Sequence, residues 1–94
     1  MYKCIFIKYL WKDADTKRLY RTLEKILTVP FPPSVGYEIG EGEWFSGKLE
    51  RIVWDNKAET FTIKTTDITP KTGISAELLL EIAEKQGWVV QAQK

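Results

Sequence analysis

The sequence contains no histidine and only one cysteine, Cys4, among its 94 residues. Without histidine, the chain lacks the side chain that most often acts as a general base or binds a metal near neutral pH. One cysteine cannot form an intrachain disulfide, and a cysteine inside a predicted strand is more often a small buried hydrophobic residue than an activated nucleophile. We therefore expect no metal site and no cofactor, and we predict that the protein is not an enzyme.

Excess charge and long apolar runs are also missing. The 14 Lys and Arg residues nearly balance the 13 Asp and Glu residues, which leaves a net charge of +1. No overall field would then draw the chain to nucleic acid or to an anionic membrane, so such binding would need a local patch. No stretch approaches the roughly 20 apolar residues of a membrane helix, and the N-terminal run does not resemble a secretory signal. We predict a soluble, cytoplasmic protein that does not bind membranes.

Phosphate loops and well-defined carboxylate pairs are absent as well. Neither a dinucleotide nor a Walker pattern is formed by the glycines of the middle of the chain, Gly36, Gly40, Gly42 and Gly47. Acid–base catalysis by two carboxylates requires a defined distance between them. The sequence spacing of Glu41 and Glu43, or of Glu81 and Glu84, does not determine that distance. An enzyme acting through Glu38, Glu41 and Glu43 stays a third alternative, and it requires these side chains to converge in a pocket.

The composition and length of the chain are those of one folded domain. An apolar share of 44% and a charged share of 29% are typical of globular proteins, and 94 residues leave room for a single domain spanning residues 1–94. Tyr2 to Trp11 is apolar at almost every position. This run predicts a strand in the interior of a sheet, and an edge position is unfavourable.

A helix is predicted after this strand. Asp13 or Asp15 can cap its N-terminus, and one apolar stripe follows at spacings of i, i+4, i+7 and i+8, formed by Leu19, Leu23, Ile26 and Leu27. The proline-rich stretch from 29 to 36 ends the helix. Val35 to Ile39 then predicts a short strand.

The middle of the chain, Glu43 to Thr66, predicts a β-hairpin. Leu49 to Trp54 and Thr60 to Thr66 are rich in strand formers, and turn residues separate them. Gly47 is a natural position for a bulge. Thr60, Thr62, Lys64 and Thr66 belong to a face that should contact water.

A second helix follows, with Ser75 as its N-cap and Gly87 as its left-handed stop. Trp88 to Ala92 predicts the last strand. The element order is therefore β-α-β-β-β-α-β, an α+β fold in which a mixed, mainly antiparallel sheet carries two helices on one face, as a ferredoxin-like variant.

Aromatic residues are abundant for so small a domain, with four Trp, four Tyr and four Phe. Such residues are enriched at interface hot spots. We therefore predict a non-catalytic binding or regulatory protein that contacts a protein partner, with a second copy of the chain as one candidate. The surface would be the open sheet face or the central hairpin, and the candidate aromatic residues are Trp11, Tyr37, Trp44 and Phe45.

An alternative function comes from the run Ile5-Phe6-Ile7-Lys8-Tyr9-Leu10. It resembles the first-strand signature of RNA-recognition motif domains, and it departs from that signature at Tyr9, where the family usually has Asn. The resemblance implies a single-stranded nucleic-acid binder in which Phe6 stacks on a base and Lys3, Lys8 and Lys64 contact phosphates. The family's second signature, on its third strand, has no counterpart in Thr60 to Thr66.

Overall fold

Six strands and one helix make up the part of the chain that is described in a computed structural model, residues 1–13, 18–36, 38–39, 47–70 and 73–91. In chain order they are β1 (Tyr2–Trp11), β2 (Leu19–Val29), β3 (Glu38–Ile39), β4 (Gly47–Asp55), β5 (Thr60–Thr65), α1 (Ala76–Lys85) and β6 (Val89–Val90).

The strands lie in the order β3-β4-β5-β1-β2-β6. Neighbours are antiparallel except for β1 and β5, which are parallel. β1 therefore lies in the middle of the sheet, as its two apolar faces predict. β3 is a two-residue strand that pairs with the first residues of β4.

The predicted order β-α-β-β-β-α-β is wrong, and so is the ferredoxin-like arrangement of two helices on one face, because the segment assigned to the first helix is the strand β2. Leu23 and Leu27 are four residues apart, and four is an even number, so these residues share one face of a strand as well as one face of a helix. A register shift between Leu10 and Trp11 takes Leu19, which is 47% exposed, out of this alternation. Ile26 distinguishes the two structures. It lies on the opposite face of β2 and is 54% exposed, whereas a helix would have placed it in the buried stripe. The segment forms a strand despite its helical pattern, because it pairs in antiparallel fashion with the whole length of β1.

The predicted hairpin is confirmed as β4 and β5. Its turn is held by the Asp55 carboxylate, which accepts hydrogen bonds from the backbone N–H groups of Lys57 and Ala58 at 3.0 and 3.1 Å. A bulge between Leu49 and Arg51 shifts the side-chain phase of β4, so that the bulge lies after Gly47 rather than at it. The shift explains why the alternation along Leu49 to Trp54 is irregular: Leu49 and Ile52 belong to the same face.

The predicted second helix is confirmed as α1. The Ser75 side chain accepts a hydrogen bond from the Leu78 N–H at 3.2 Å. At the other end Gly87 has a φ of 95°, and the N–H groups of Gly87 and Trp88 donate to the carbonyls of Glu84 and Ala83. These two bonds form a Schellman motif, which needs a left-handed residue at the position of Gly87. No helix in the described part of the chain has the length and apolar composition to span a membrane.

The sheet has two faces that differ in what covers them. We call the face that packs against α1 the inner face. Its core is formed by Cys4, Phe6, Leu10, Leu23, Leu49, Ile63, Ile68, Leu79, Ala83 and Trp88. We call the opposite side the outer face, and no described helix or strand packs on it.

Candidate functional surface

An apolar row crosses the outer face at right angles to the strands. Strand register places its four members side by side on β2, β1, β5 and β4; they are Ile26, Ile5, Thr62 and Val53. We call these four residues the outer row. Ile26 and Val53, at its two ends, are 54% and 45% exposed. β-Branched side chains in cross-strand register pack well on a pleated surface, so the row is a continuous apolar strip.

A charged row lies next to the outer row along the strands. Register aligns one residue each from β2, β1, β5 and β4, in the order Glu24, Ile7, Lys64 and Arg51. We call these four residues the charged row. Val89 of β6 pairs with Glu24 and extends the row with another apolar side chain, 54% exposed. The row therefore carries an acidic end on β2 and a basic end on β4.

The pairing of β5 with β1 breaks at Thr66 and Asp67. Beyond the break the chain pairs with β1 again: the Ile68 N–H donates to the Tyr9 carbonyl at 2.9 Å, and the Trp11 N–H donates to the Ile68 carbonyl at 3.0 Å. An interrupted ladder leaves backbone polar groups that need other partners. Lysine side chains on the two faces of the sheet meet at this break.

On the outer side of the break, Lys64 is the centre of a small polar and aromatic cluster. Its ammonium group forms ion pairs with Asp67 and with Glu50, the latter at 3.3 Å, and it lies 4.7 Å from the centre of the Tyr9 ring. The Trp11 indole N–H donates to the other oxygen of the Asp67 carboxylate at 2.9 Å. The Tyr9 and Trp11 rings meet edge to face, 6.3 Å apart. This network gives two aromatic side chains fixed positions on the outer face.

On the inner side of the break, Lys8 is buried in the core with an exposure of 1%. Its ammonium group donates to the Thr66 carbonyl at 2.6 Å and lies 5.8 Å from the centre of the Trp88 ring. A buried ammonium is tolerated only when it is hydrogen-bonded or paired. Lys8 therefore satisfies a carbonyl that the interrupted ladder leaves free.

A second apolar patch lies on the inner face, away from α1. The Trp54 and Phe61 ring centres are 4.9 Å apart, and Tyr2 lies 6.1 Å from Phe61. Trp54 and Tyr2 are 49% and 39% exposed. The patch is close to the core, and it lacks the regular charge pattern of the outer face.

The structure brings together some of the residues proposed from the sequence and separates others. Trp11 and Lys64 lie in one cluster on the outer face. Phe6, 2% exposed, and Lys8 lie in the core on the inner face, where neither side chain reaches a ligand at the surface. The remaining candidates, Tyr37, Trp44 and Phe45, lie outside the described residues.

Cys4, the one cysteine of the chain, is a free thiol buried in the core. Burial raises the pKa of the Cys4 thiol, which keeps it in the unreactive protonated form. The ranges that the structure describes hold no group of three or more Cys, Asp or Glu side chains placed to bind a metal ion. Of the glutamates proposed for an enzyme, Glu38 is described only as backbone in β3, and Glu41 and Glu43 lie outside the described residues.

Several surface residues of the outer face were not anticipated from the sequence. Ile26 was assigned to a buried helix stripe, and Ile5 and Val53 carried no signal that separates them from core residues. For the neighbouring strand, the alternation of β5 predicts that Thr62 and Lys64 share one face, and the register places both on the outer face, partly buried. Thr60, predicted on the same water-facing side, is instead 3% exposed. Cross-strand register was needed to align these residues with those of β1, β2 and β4.

Comparison of the chain with protein-family models, with curated protein sequences and with solved structures finds no significant match in any of the three.

Proposed function

We propose that this chain is a non-catalytic binding protein that engages a protein partner through the outer face of its sheet. One observation carries the proposal: the outer row, Ile26, Ile5, Thr62 and Val53, is an apolar strip with both ends exposed to solvent. Single exposed apolar residues are ordinary, but contiguous apolar surface bordered by polar residues marks interaction sites.

The surroundings of the outer row support a protein partner. Protein interfaces are enriched in aromatic residues and have a polar rim around an apolar centre. Tyr9 and Trp11 provide aromatic side chains on the same face as the outer row, and their contacts with Lys64 and Asp67 hold both rings in place before binding. A pre-positioned side chain loses less conformational entropy when the complex forms.

Nucleic-acid binding is less well supported by the same geometry. A base can stack only on an exposed ring, and Phe6 is 2% exposed. Phosphate contacts need accessible cations, whereas Lys8 is buried and Lys64 is paired with Asp67 and Glu50. Lys3 alone among the proposed residues is exposed and without these contacts. We therefore favour the protein partner.

Site-specific photo-cross-linking tests the proposal. A benzophenone amino acid replaces Val53 in one variant and Trp54 in another, and both are irradiated in the cells that make the chain. The two residues are adjacent and have similar exposures of 45% and 49%, but they lie on opposite faces of β4. We expect protein adducts from position 53 in clear excess over position 54.

Position 54 is the matched control because it reports general accessibility of the same strand. Equal adduct yields at the two positions, an excess from position 54, or adducts with nucleic acid in place of protein would overturn the proposal. Circular dichroism of both purified variants shows whether each one keeps the fold.

A further inference from the structure

We propose that the partner at the outer face is a second copy of this chain, bound about a two-fold axis that runs parallel to the strands between β1 and β5. The inference rests on the proposed function, and it names the partner of that same surface. It follows from the positions of the outer row and the charged row in the sheet.

A two-fold axis in this position exchanges strands in a defined way. β1 of one copy lies over β5 of the other, and β2 of one copy lies over β4 of the other. Each row then lies over the same row read in reverse. In the outer row, Ile26 faces Val53 of the second copy, so apolar side chains cover each other. Ile5 faces Thr62, whose methyl group can pack on it.

The same operation pairs opposite charges in the charged row. Glu24 on β2 faces Arg51 on β4 of the second copy, and the symmetry produces this pair twice. Both residues lie about 1.5 strand spacings, or about 7 Å, from the axis, and two packed sheets are about 10 Å apart. Side chains as long as those of arginine and glutamate can meet across such a gap. A two-fold interface must be complementary to itself, and the charged row meets that condition.

Other two-fold arrangements of the same face lack this complementarity. An axis perpendicular to the strands and lying along the charged row would place Glu24 over Glu24 and Arg51 over Arg51. Moving that axis between the two rows would place Glu24 over Ile26 and Arg51 over Val53. Both arrangements oppose like charges or cover a charge with an apolar side chain, which is unfavourable. The favoured arrangement also places Ile7 over Lys64 of the second copy. This contact covers no unpaired charge, because the chain of Lys64 already supplies Asp67 and Glu50 as counter-charges.

The size of the face suits a modest dimer. The four strands have 10, 11, 9 and 6 residues. At about 4.8 Å between strands and about 3.3 Å per residue, they cover roughly 600 Å² per copy. Stable interfaces bury roughly 600–1,000 Å² per partner. We therefore expect a reversible dimer with a dissociation constant in the micromolar range.

Charge reversal tests the pairing of Glu24 with Arg51. Sedimentation velocity over a micromolar to millimolar concentration series gives the dissociation constant of the purified chain. Glu24→Arg places two positive charges opposite each other, and Arg51→Glu places two negative charges opposite each other. We expect each single change to raise the dissociation constant at least about tenfold, and the double variant E24R/R51E to restore it to within about threefold.

Lys57→Glu is the control for Arg51→Glu, because Lys57 is exposed in the turn between β4 and β5 and the change in charge is the same. It should leave the dissociation constant unchanged. Restored dimerisation of the double variant excludes misfolding as the cause of the loss in the single variants.

The outcomes separate this inference from the proposed function. A wild-type chain that stays monomeric at millimolar concentration while position 53 cross-links to a different protein overturns the second copy and leaves the proposed function standing. A dimer that neither reversal weakens, or that the double variant fails to restore, overturns the two-fold arrangement. Homotypic adducts from position 53 together with rescue by the double variant support both.

Discussion

The two faces of the sheet are built from the same strands, and they use similar residues in opposite ways. On the inner face α1 covers the sheet, and Leu23 and Ile63 are 0% exposed. On the outer face Ile26, three residues after Leu23, is 54% exposed. The comparison shows that an apolar residue in this chain is buried in the core or exposed to solvent according to its face, and residue type alone does not distinguish the two.

Two lysine side chains differ in the same way between the inner and the outer face. Lys8 and Lys64 lie on neighbouring strands and both meet the break at Thr66 and Asp67. Lys8 is hydrogen-bonded within the core to the Thr66 carbonyl, whereas Lys64 is paired on the outer face with two carboxylates. The inner lysine completes the fold, and the outer lysine organises a surface.

The largest expected difference between the faces is in the cost of shortening an apolar side chain. Leu23→Ala leaves a cavity in the core and should lower the free energy of unfolding by about 2–5 kcal/mol. Ile26→Ala in the same strand removes exposed surface and should cost less than about 1 kcal/mol in the monomer. Urea unfolding at low protein concentration, followed by tryptophan fluorescence, measures both values. Equal costs would contradict the assignment of the two faces.

The next effect concerns the two lysines. Lys8→Ala removes a buried aliphatic stem and leaves the Thr66 carbonyl unsatisfied, and we expect a loss of about 2–4 kcal/mol. Lys64→Ala breaks partly exposed ion pairs and a hydrogen bond to the Thr65 carbonyl. It leaves its partners nearer to solvent than Lys8 does and should cost about 1–2 kcal/mol. The same unfolding experiment compares them. A Lys64 variant that is less stable than the Lys8 variant would contradict the different roles assigned to the two residues.

A smaller effect is expected where α1 ends above the inner face. Gly87→Ala places a Cβ atom on a residue with a φ of 95°, and the strain of this conformation should cost about 1–2 kcal/mol. The new atom would lie 3.5 Å from Lys25 Cε, an ordinary contact, so that backbone strain and not a clash causes the loss. Lys85→Ala, an exposed change in the last turn, is the control and should cost less than about 0.5 kcal/mol. An unchanged melting temperature for the Gly87 variant would argue against the Schellman motif.

The smallest effect is a change in titration at the start of α1. A hydrogen bond from the Lys12 side chain lowers the pKa of the Glu77 carboxyl below its ordinary value of 4.5. Because the folded pKa is the lower one, the contribution of this pair to stability is present above the ordinary value and is lost as the pH falls through the lowered one. Lys12→Met should raise the pKa of Glu77 toward its ordinary value, and carboxyl NMR over an acid titration measures the shift. A pKa that does not move would show that the two side chains are not paired in solution.

Local structure could be predicted where neighbouring residues along the chain carry the decisive interactions. The N-cap at Ser75 and the stop at Gly87 depend on backbone groups within a few residues, and both predictions are confirmed. The hairpin is also local, since Asp55 holds its own turn. For the candidate surface, the same kind of signal identified only Lys64 and Trp11 among the residues that the structure brings together.

The central strand β1, the hairpin of β4 and β5, and the helix α1 with both of its ends can be read from the amino-acid order, because periodicity and turn chemistry act over short distances. That Leu19–Val29 is a strand depends on the folded sheet, because a spacing of four residues fits a helix and a strand equally and the pairing with β1 selects between them. The burial of Lys8 and the alignment of Ile26, Ile5, Thr62 and Val53 in one row depend on the folded sheet as well. Both depend on register between strands that are far apart in the chain, and such register is set by the packing of the whole sheet.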